Sequence, residues 1–294
     1  MSAMQTKSEI RQLLACAGLS PNRRFGQHFL VDLNLMRLAV DAAGITEKDT
    51  VLEVGCGTGS LTSALAERAG LVIAVEIDPK LAQIARSHLA NTPNVRLVQT
   101  DALSSKGTFD PTVVEAAGGR PMPRGGRLLL VANLPYDVAS AVMLNLVKGP
   151  LVADEMVVTV QKEVAQRMGA RPGTRDYGSL SILLGATGTV EMLRVLKPSV
   201  FWPPPKVDSA LVRFVRDRRR CAQIADIGLL GEVVSLFMGH RRKMLRACTR
   251  YAPPELGGGE ALARVLARSG LDPTLRPEQL SPEQYVTLAD LCRR

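Results

Sequence analysis

The chain has 294 residues, of which 46% are hydrophobic and 22% charged. It is too long for one core and too apolar for disorder, which points to one large domain with a smaller companion. Lys and Arg number 37 against 28 Asp and Glu, a net charge of +9, and residues 181–294 hold 18 of the basic and 11 of the acidic side chains; a positive field concentrated in the last third favours a phosphate polymer as partner.

The five cysteines (Cys16, Cys56, Cys221, Cys248, Cys292) form no C-x-x-C pair and no zinc-type spacing with histidine, so reduced thiols and no metal site are expected. The opening "MSAMQTKSEIRQLLACAG" lacks the apolar core of a signal peptide, and no apolar run approaches the ~18 residues that span a bilayer. A cytoplasmic protein is therefore expected.

In chain order, residues 7–18 read as a short helix, and a second helix is predicted at 32–43, capped by Asp32 and ended by Gly44. The strand "TVLEVG" then runs into the glycine turn "GCGTGS" and the helix "LTSALAERA". Strand "LVIAVEI", helix "PKLAQIARSHLA" and strand "VRLVQTD" follow, then a Gly/Pro/Arg-rich connection over 104–127, strand "RLLLVAN" and helix "DVASAVMLNLVK". Short apolar strands alternating with helices indicate an α/β fold with a mostly parallel sheet covered on both faces. Further strands are expected at "EMVVTVQ", "TVEMLRVL" and "SALVRFV", the last two as an antiparallel hairpin at one edge because their connection is too short for a crossover. Beyond "RDRRR" (216–220) only helices are predicted, in "AQIADIGLLGEVVSLFM", "RRKMLRAC", "EALARVLAR" and "PEQYVTLADLC". A boundary near 217 separates a domain of 1–217 from a small all-helical domain of 218–294.

"EVGCGTGSLT" puts Gly55, Gly57 and Gly59 at the carboxyl end of the first long strand, where open α/β sheets bind ligands and glycine lets backbone N–H groups approach them. A purely structural tight turn is the competing reading. The third glycine of a dinucleotide fingerprint is replaced by Ser60, which argues against nicotinamide or flavin. Glu76, ending the next strand 21 residues after Gly55, can accept both hydroxyls of a ribose, which indicates a nucleoside without saying which. Asp101, ending the third, can accept from an adenine amine. Each acid alone could be a helix cap or a solvated strand end; the ordered set resembles the S-adenosylmethionine site of Rossmann-like methyltransferases.

The fourth strand ends in Asn133, Leu134, Pro135 and Tyr136 at the same sheet edge. An adenine amine is a poor nucleophile because its lone pair is delocalised into the ring. The Asn133 side-chain oxygen and the Leu134 carbonyl can hold its two hydrogens and free that pair, Pro135 aims the carbonyl, and Tyr136 offers a stacking face. The competing reading is a plain turn with Asp137 capping the next helix.

The chain is similar to the small-subunit ribosomal RNA adenine dimethyltransferases along nearly its whole length. The motifs that carry this are "RRFGQHFL", "EVGCGTGSLT", "VEID", "TDAL", "VANLPY", "VTVQKEVAQRM", "RPGTRDYGSLSILL", "PSVFWPPPKVDSALVRF" and "FMGHRRKMLR". The resemblance implies S-adenosylmethionine-dependent transfer of two methyl groups to the N6 amine of each of two adjacent adenosines near the 3′ end of the small-subunit RNA, within the assembling subunit. Nothing in the sequence forces a dimer, and a monomer is expected. It implies that His28, Leu30, Gly55, Glu76, Asp101 and Asn133 line the cofactor pocket, that Asn133 and Leu134 hold the target amine, and that Tyr136 and Phe201 close the two faces of the base. His28 stands where the family commonly has asparagine. Trp202 reads as a hydrophobic plug. Arg241, Arg242, Lys243 and Arg246 read as a basic helix that grips RNA, with Arg218, Arg219 and Arg220 as a second cluster, against the alternative of solvated faces. The basic connection 104–127 is read as a solvated loop. The rival enzyme reading is the erythromycin-resistance methyltransferase family, which modifies a large-subunit adenosine; the non-enzymatic rival is an RNA-binding assembly factor.

Overall fold

A computed structural model describes residues 4–22, 26–105, 107–118 and 125–293. Arg23, Arg24 and Phe25 of "RRFGQHFL", and most of the basic connection's "GGRPMPRGGR", lie outside the described residues.

The elements run α1 (Lys7–Cys16), β1 (Phe29–Leu30), α2 (Leu33–Ala42), β2 (Thr50–Val54), α3 (Ser60–Ala66), β3 (Leu71–Glu76), α4 (Pro79–His88), β4 (Val95–Gln99), β5 (Leu103–Ser105), β6 (Thr108–Phe109), α5 (Pro111–Gly118), β7 (Leu128–Asn133), α6 (Ala139–Lys148), β8 (Glu155–Gln161), α7 (Lys162–Met168), α8 (Ser179–Thr187), β9 (Gly188–Leu196), β10 (Phe201–Trp202) and β11 (Ser209–Arg216). Helices α9 (Arg218–Cys221), α10 (Ile227–Gly239), α11 (Leu245–Cys248), α12 (Gly258–Arg268) and α13 (Pro282–Cys292) complete the chain. Two compact units result, Met1–Ala165 with Glu191–Val215, and Gln166–Val190 with Arg216–Arg294. The sequence puts one break near 217; the second unit in fact also takes in residues 166–190, so the chain crosses between the units three times.

The first unit is built on a seven-stranded sheet of order β4-β3-β2-β7-β8-β11-β9. β2 pairs in parallel with β3 on one side and β7 on the other, β7 pairs in parallel with β8, and β11 runs antiparallel to β8 with β9 beside it at the edge. The chain builds outward from β2 to β4 and then returns to β7 on the opposite side of β2. A strand order that reverses direction leaves a crevice at the carboxyl ends of the two strands flanking the reversal, here β2 and β7.

Local sequence explains the elements around that crevice. Strands β2 and β3 are buried almost throughout because helices cover both faces. Asp32 caps α2 by accepting the N–H groups of Asn34 and Leu35, and Leu35, Met36, Ala39 and Val40 form the buried stripe of that helix, packed with Val51, Leu129 and Val131 of the sheet. Asp78 caps α4 with Pro79 in its first turn. On α1, Ile10 and Leu14 pack against Leu81 of α4.

In the second unit α10, α12 and α13 bury Leu230, Val234, Phe237, Leu262, Leu266, Tyr285 and Leu288. Phe237 and Tyr285 meet edge to face, 6.4 Å between ring centres. Helix α8 packs with α10 and α13, closely enough that a Cβ on Gly185 would come within 3.0 Å of Pro282. No helix among the described residues is long and apolar enough to cross a membrane.

Candidate active site

The crevice is a cleft open to solvent, and its lining includes His28, Leu30, Glu53, Gly55, Glu76, Asn133, Leu134 and Tyr136. Gly55, Gly57 and Gly59 all have positive φ (79°, 59° and 85°), the region in which side chains are strained. The N–H groups of Gly55 and Cys56 both reach the Val75 carbonyl, at 2.8 and 3.1 Å, which turns the loop back over β3.

Glu76 accepts the Gly57 N–H on one carboxylate oxygen (2.8 Å) and the Asp78 N–H on the other (2.9 Å). It is only 5% exposed, and burial pushes its carboxyl up from the usual range. A buried acid with spare lone pairs facing a cleft suits uncharged hydroxyl donors such as those of a ribose. Beneath it, Glu53 lies on β2, 2% exposed, and accepts the Thr62 hydroxyl at 2.6 Å; burial pushes its carboxyl up to about 8. Motif spacing does not single out Glu53, although an acid inside the buried run "TVLEV" is the sort of exception that signals a special environment.

At the end of β7, the Asn133 Nδ2 donates to the His28 carbonyl at 2.8 Å, and the Thr159 hydroxyl donates to Asn133 Oδ1. The Leu134 N–H reaches the Thr159 carbonyl at 3.2 Å. Pro135 packs on the glycine turn: a Cβ on Gly55 would come 3.2 Å from its ring. Tyr136 shares a 2.8 Å hydrogen bond with Ser209 and stacks on His28 with ring centres 5.6 Å apart. Burial raises the pKa of its phenol, so it presents a ring and no base. His28 Nδ1 lies 2.7 Å from the Pro203 carbonyl; since that oxygen only accepts, Nδ1 carries the proton. Helix α6 starts from Val138 with no side-chain cap, so Asp137 does not give this turn the capping role considered for it.

This arrangement has known relatives. The profile of the family described as ribosomal RNA adenine dimethylase matches residues 18–293. The chain belongs to this family. Ribosomal RNA small subunit methyltransferase A of Rubrobacter xylanophilus is 42% identical over 270 residues, covering 91% of this chain and 94% of that protein. The protein of the same name from Pelotomaculum thermopropionicum is 37% identical over 291 residues, covering 99% and 97%. Among solved structures, a dimethyladenosine transferase from Plasmodium falciparum superposes with a TM-score of 0.70 at 23% identity, covering 89% of this chain and 96% of that one. The 23S rRNA methyltransferase ErmE superposes with a TM-score of 0.58 at 25% identity, covering 90% and 98%. The fold is thus the Rossmann-like methyltransferase fold, and the chain is an S-adenosylmethionine-dependent methyltransferase by family.

Two residues that the resemblance assigns to the site are not brought to the cleft of this adenine dimethylase. Asp101 is exposed, two residues past the end of β4, outside the cleft lining, and its carboxylate accepts the Leu103 N–H at 3.0 Å. Phe201 is 2% exposed. Its backbone pairs with Leu30 across β1 and β10, and its ring belongs to the apolar core with Leu30, Val131 and Leu211. Buried in that core and absent from the cleft lining, the ring offers no free face to a base in this arrangement. The neighbouring Trp202 stacks on Phe29 at 6.2 Å and packs against the Ile10 and Leu14 cluster, a plug as read.

The basic residues of the second unit also differ from expectation. Arg241, Arg242 and Lys243 lie in the turn between α10 and α11, and only Arg246 is helical; "RRKMLRAC" therefore yields one helical turn instead of two. Leu245 and Cys248 are buried, and the N–H groups of Leu245 and Arg246 bond the Leu275 and Pro273 carbonyls, which pulls the start of the segment out of helical register. Arg241 is held by Glu278 at 2.8 Å and by the Arg175 carbonyl. Lys243 donates to the Tyr251 hydroxyl at 2.6 Å and lies over its ring. Arg242, Lys243 and Arg246 are partly or fully exposed. Arg220 donates to the Gly185 and Gly188 carbonyls at 2.9 and 2.7 Å, a structural role within the unit.

Proposed function

We propose that this chain dimethylates the N6 amines of two adjacent adenosines near the 3′ end of small-subunit ribosomal RNA during subunit assembly, with the cleft between β2 and β7 as its site. Bound S-adenosylmethionine supplies an electrophilic methyl group on a sulfonium. The observation that carries the reading is the Asn133 amide at the sheet's switch point, beside the glycine turn and Glu76 in one cleft.

Glu76 accepts the ribose hydroxyls, and the glycine turn lets the backbone approach the nucleoside. His28 and Leu30 line the same cleft. Asn133 Oδ1 and the Leu134 carbonyl accept the two hydrogens of the target amine, which draws the nitrogen toward a tetrahedral shape and exposes its lone pair. Positioning of this kind and preorganised acceptors are the chain's contribution. No side chain has to remove the proton first, since it becomes acidic once the nitrogen is alkylated. One face of Tyr136 rests on His28, so the base stacks on the other, worth about 1–3 kcal/mol against the cost of extruding it. Asp101 keeps a part in adenine recognition only if the strand end around it closes toward the cleft.

The relatives named as small-subunit methyltransferases are 37% and 42% identical along nearly the full chain, against 25% for the 23S rRNA methyltransferase ErmE, which favours the small-subunit substrate over the large-subunit adenosine of the erythromycin-resistance type. The test is methylation of small ribosomal subunits that lack the modification, with dimethyladenosine measured by mass. The wild-type chain modifies both adenosines, whereas Asn133→Ala stays folded and transfers almost no methyl. Near-normal transfer by that variant would refute the site.

A further inference from the structure

The Asn133 amide can serve as an acceptor only if its oxygen, and not its nitrogen, faces the target amine. The torsion that sets this is soft and roughly two-fold in asparagine, so something besides the residue's own geometry must choose. Two neighbours do so. The His28 carbonyl can only accept, which draws the NH2 end toward it at 2.8 Å. The oxygen then meets Thr159, whose hydroxyl donates to Oδ1. Thr159 sits on β8 directly across from Asn133 in the parallel register and is 3% exposed, so water does not compete for the hydrogen bond. Its own carbonyl accepts the Leu134 N–H at 3.2 Å.

We propose that Thr159 is a positioning residue for methyl transfer: its hydroxyl locks the Asn133 amide with the oxygen toward the substrate, and its carbonyl anchors the Leu134 backbone next to the second acceptor. The chemistry allows both roles together. An amide oxygen has two lone pairs; Thr159 takes one and leaves the other for the amine. A Thr159→Val chain keeps the shape and loses the hydroxyl. The amide of Asn133 then samples a wider torsional range, and a misplaced acceptor lowers the rate of the chemical step while leaving nucleoside binding alone.

This inference rests on the function proposed above, and the experiment separates the two. Wild type, Thr159→Val and Thr159→Ser are compared for affinity toward S-adenosylhomocysteine, and for kcat and KM with unmodified small subunits. Expected are unchanged affinity and KM in all three, a kcat lower by about tenfold or more for Val, and a Ser chain within about threefold of wild type because the donor is restored. Wild-type kcat in the Val chain, or a Ser chain as slow as the Val chain, overturns the inference. So does a loss confined to KM or to nucleoside affinity. If Thr159→Val fails to bind the nucleoside because it is misfolded, the Ser chain still decides: at or near wild-type kcat it supports the hydroxyl's role, and a tenfold loss overturns it. A wild-type chain that transfers no methyl overturns the functional reading itself, and this inference with it.

Discussion

Among individual residues, Glu53 shows how burial changes a group's chemistry. Its carboxyl is pushed up to about 8 by desolvation, against the opposing Thr62 hydrogen bond and with the nearby Glu76 charge adding to the rise, so at neutral pH it holds a proton that an unfolded chain would have released. The folded state binds more protons than the unfolded state between about 4.5 and 8, and stability therefore falls as pH rises through that window. Replacing Glu53 by Gln removes the titration. The melting temperature of Glu53→Gln relative to wild type is expected to climb between pH 5 and pH 9, by differential scanning fluorimetry; a difference that stays flat across that range would mean the carboxyl is not buried as a neutral acid. The same burial, reinforced by the charges of Glu53 and Glu76, drives the Cys56 thiol far up. Cys56 therefore lines the cleft as a small apolar group and not as a nucleophile.

Among the strands, the end of the sheet opposite the cleft is held by charge. Arg127, just before β7, pairs with Asp49 at 2.7 Å and with Glu155 at 3.1 Å, and Arg213 on β11 pairs with Glu155 at 2.6 Å. The Arg127 backbone carbonyl also accepts the Thr50 N–H that opens β2. The amino ends of β2, β7 and β8 and the carboxyl-terminal part of β11 are thus tied through two nearly buried carboxylates, Asp49 and Glu155, with side chains 1% and 5% exposed. Removing one partner of a buried pair costs more than never having had it. Arg127→Met should lose about 3 kcal/mol of unfolding free energy in urea while retaining methyl transfer at low temperature, because the cleft lies at the other end of the strands. A loss under about 1 kcal/mol would show that water, and not the guanidinium, satisfies Asp49.

Across the molecule as a whole, the charge distribution bears on the RNA partner. Most of the net +9 comes from residues 181–294, yet individual cations there differ in availability: Arg241 is taken by Glu278 and Arg220 by backbone carbonyls. Arg242, Lys243 and Arg246 reach solvent and form the set to test. Converting all three to Ala should weaken RNA binding and reduce the slope of log affinity against log salt by roughly 0.7–0.9 for each phosphate that is no longer neutralised, with S-adenosylhomocysteine affinity unchanged. An unaltered slope in filter-binding or anisotropy titrations would assign RNA recognition to other residues.

The alternation of apolar strands with capped helices was legible along the chain, because caps such as Asp32 and strands such as "LVIAVE" carry their signals locally. So were the glycine turn, Glu76 and the Asn133 turn, each tied to a strand end. Helix α8 was not: nearly every residue from Leu180 to Thr187 is buried, so it has no polar face and no helical period to read. Helix α5 and the short β5–β6 hairpin were likewise lost in a connection rich in turn residues. Periodicity and motif spacing were enough to read the parallel sheet and the residue types that meet at its carboxyl edge, since each of these is written in neighbouring residues, whereas the family came from the resemblance of whole motifs. Which of those side chains face the cleft, and which are spent elsewhere, emerged from the folded arrangement alone. Phe201 goes to the core, Arg241 to Glu278, and the Asn133 amide takes its orientation from His28 and Thr159, because burial and hydrogen-bond partners are set by residues far apart in the chain.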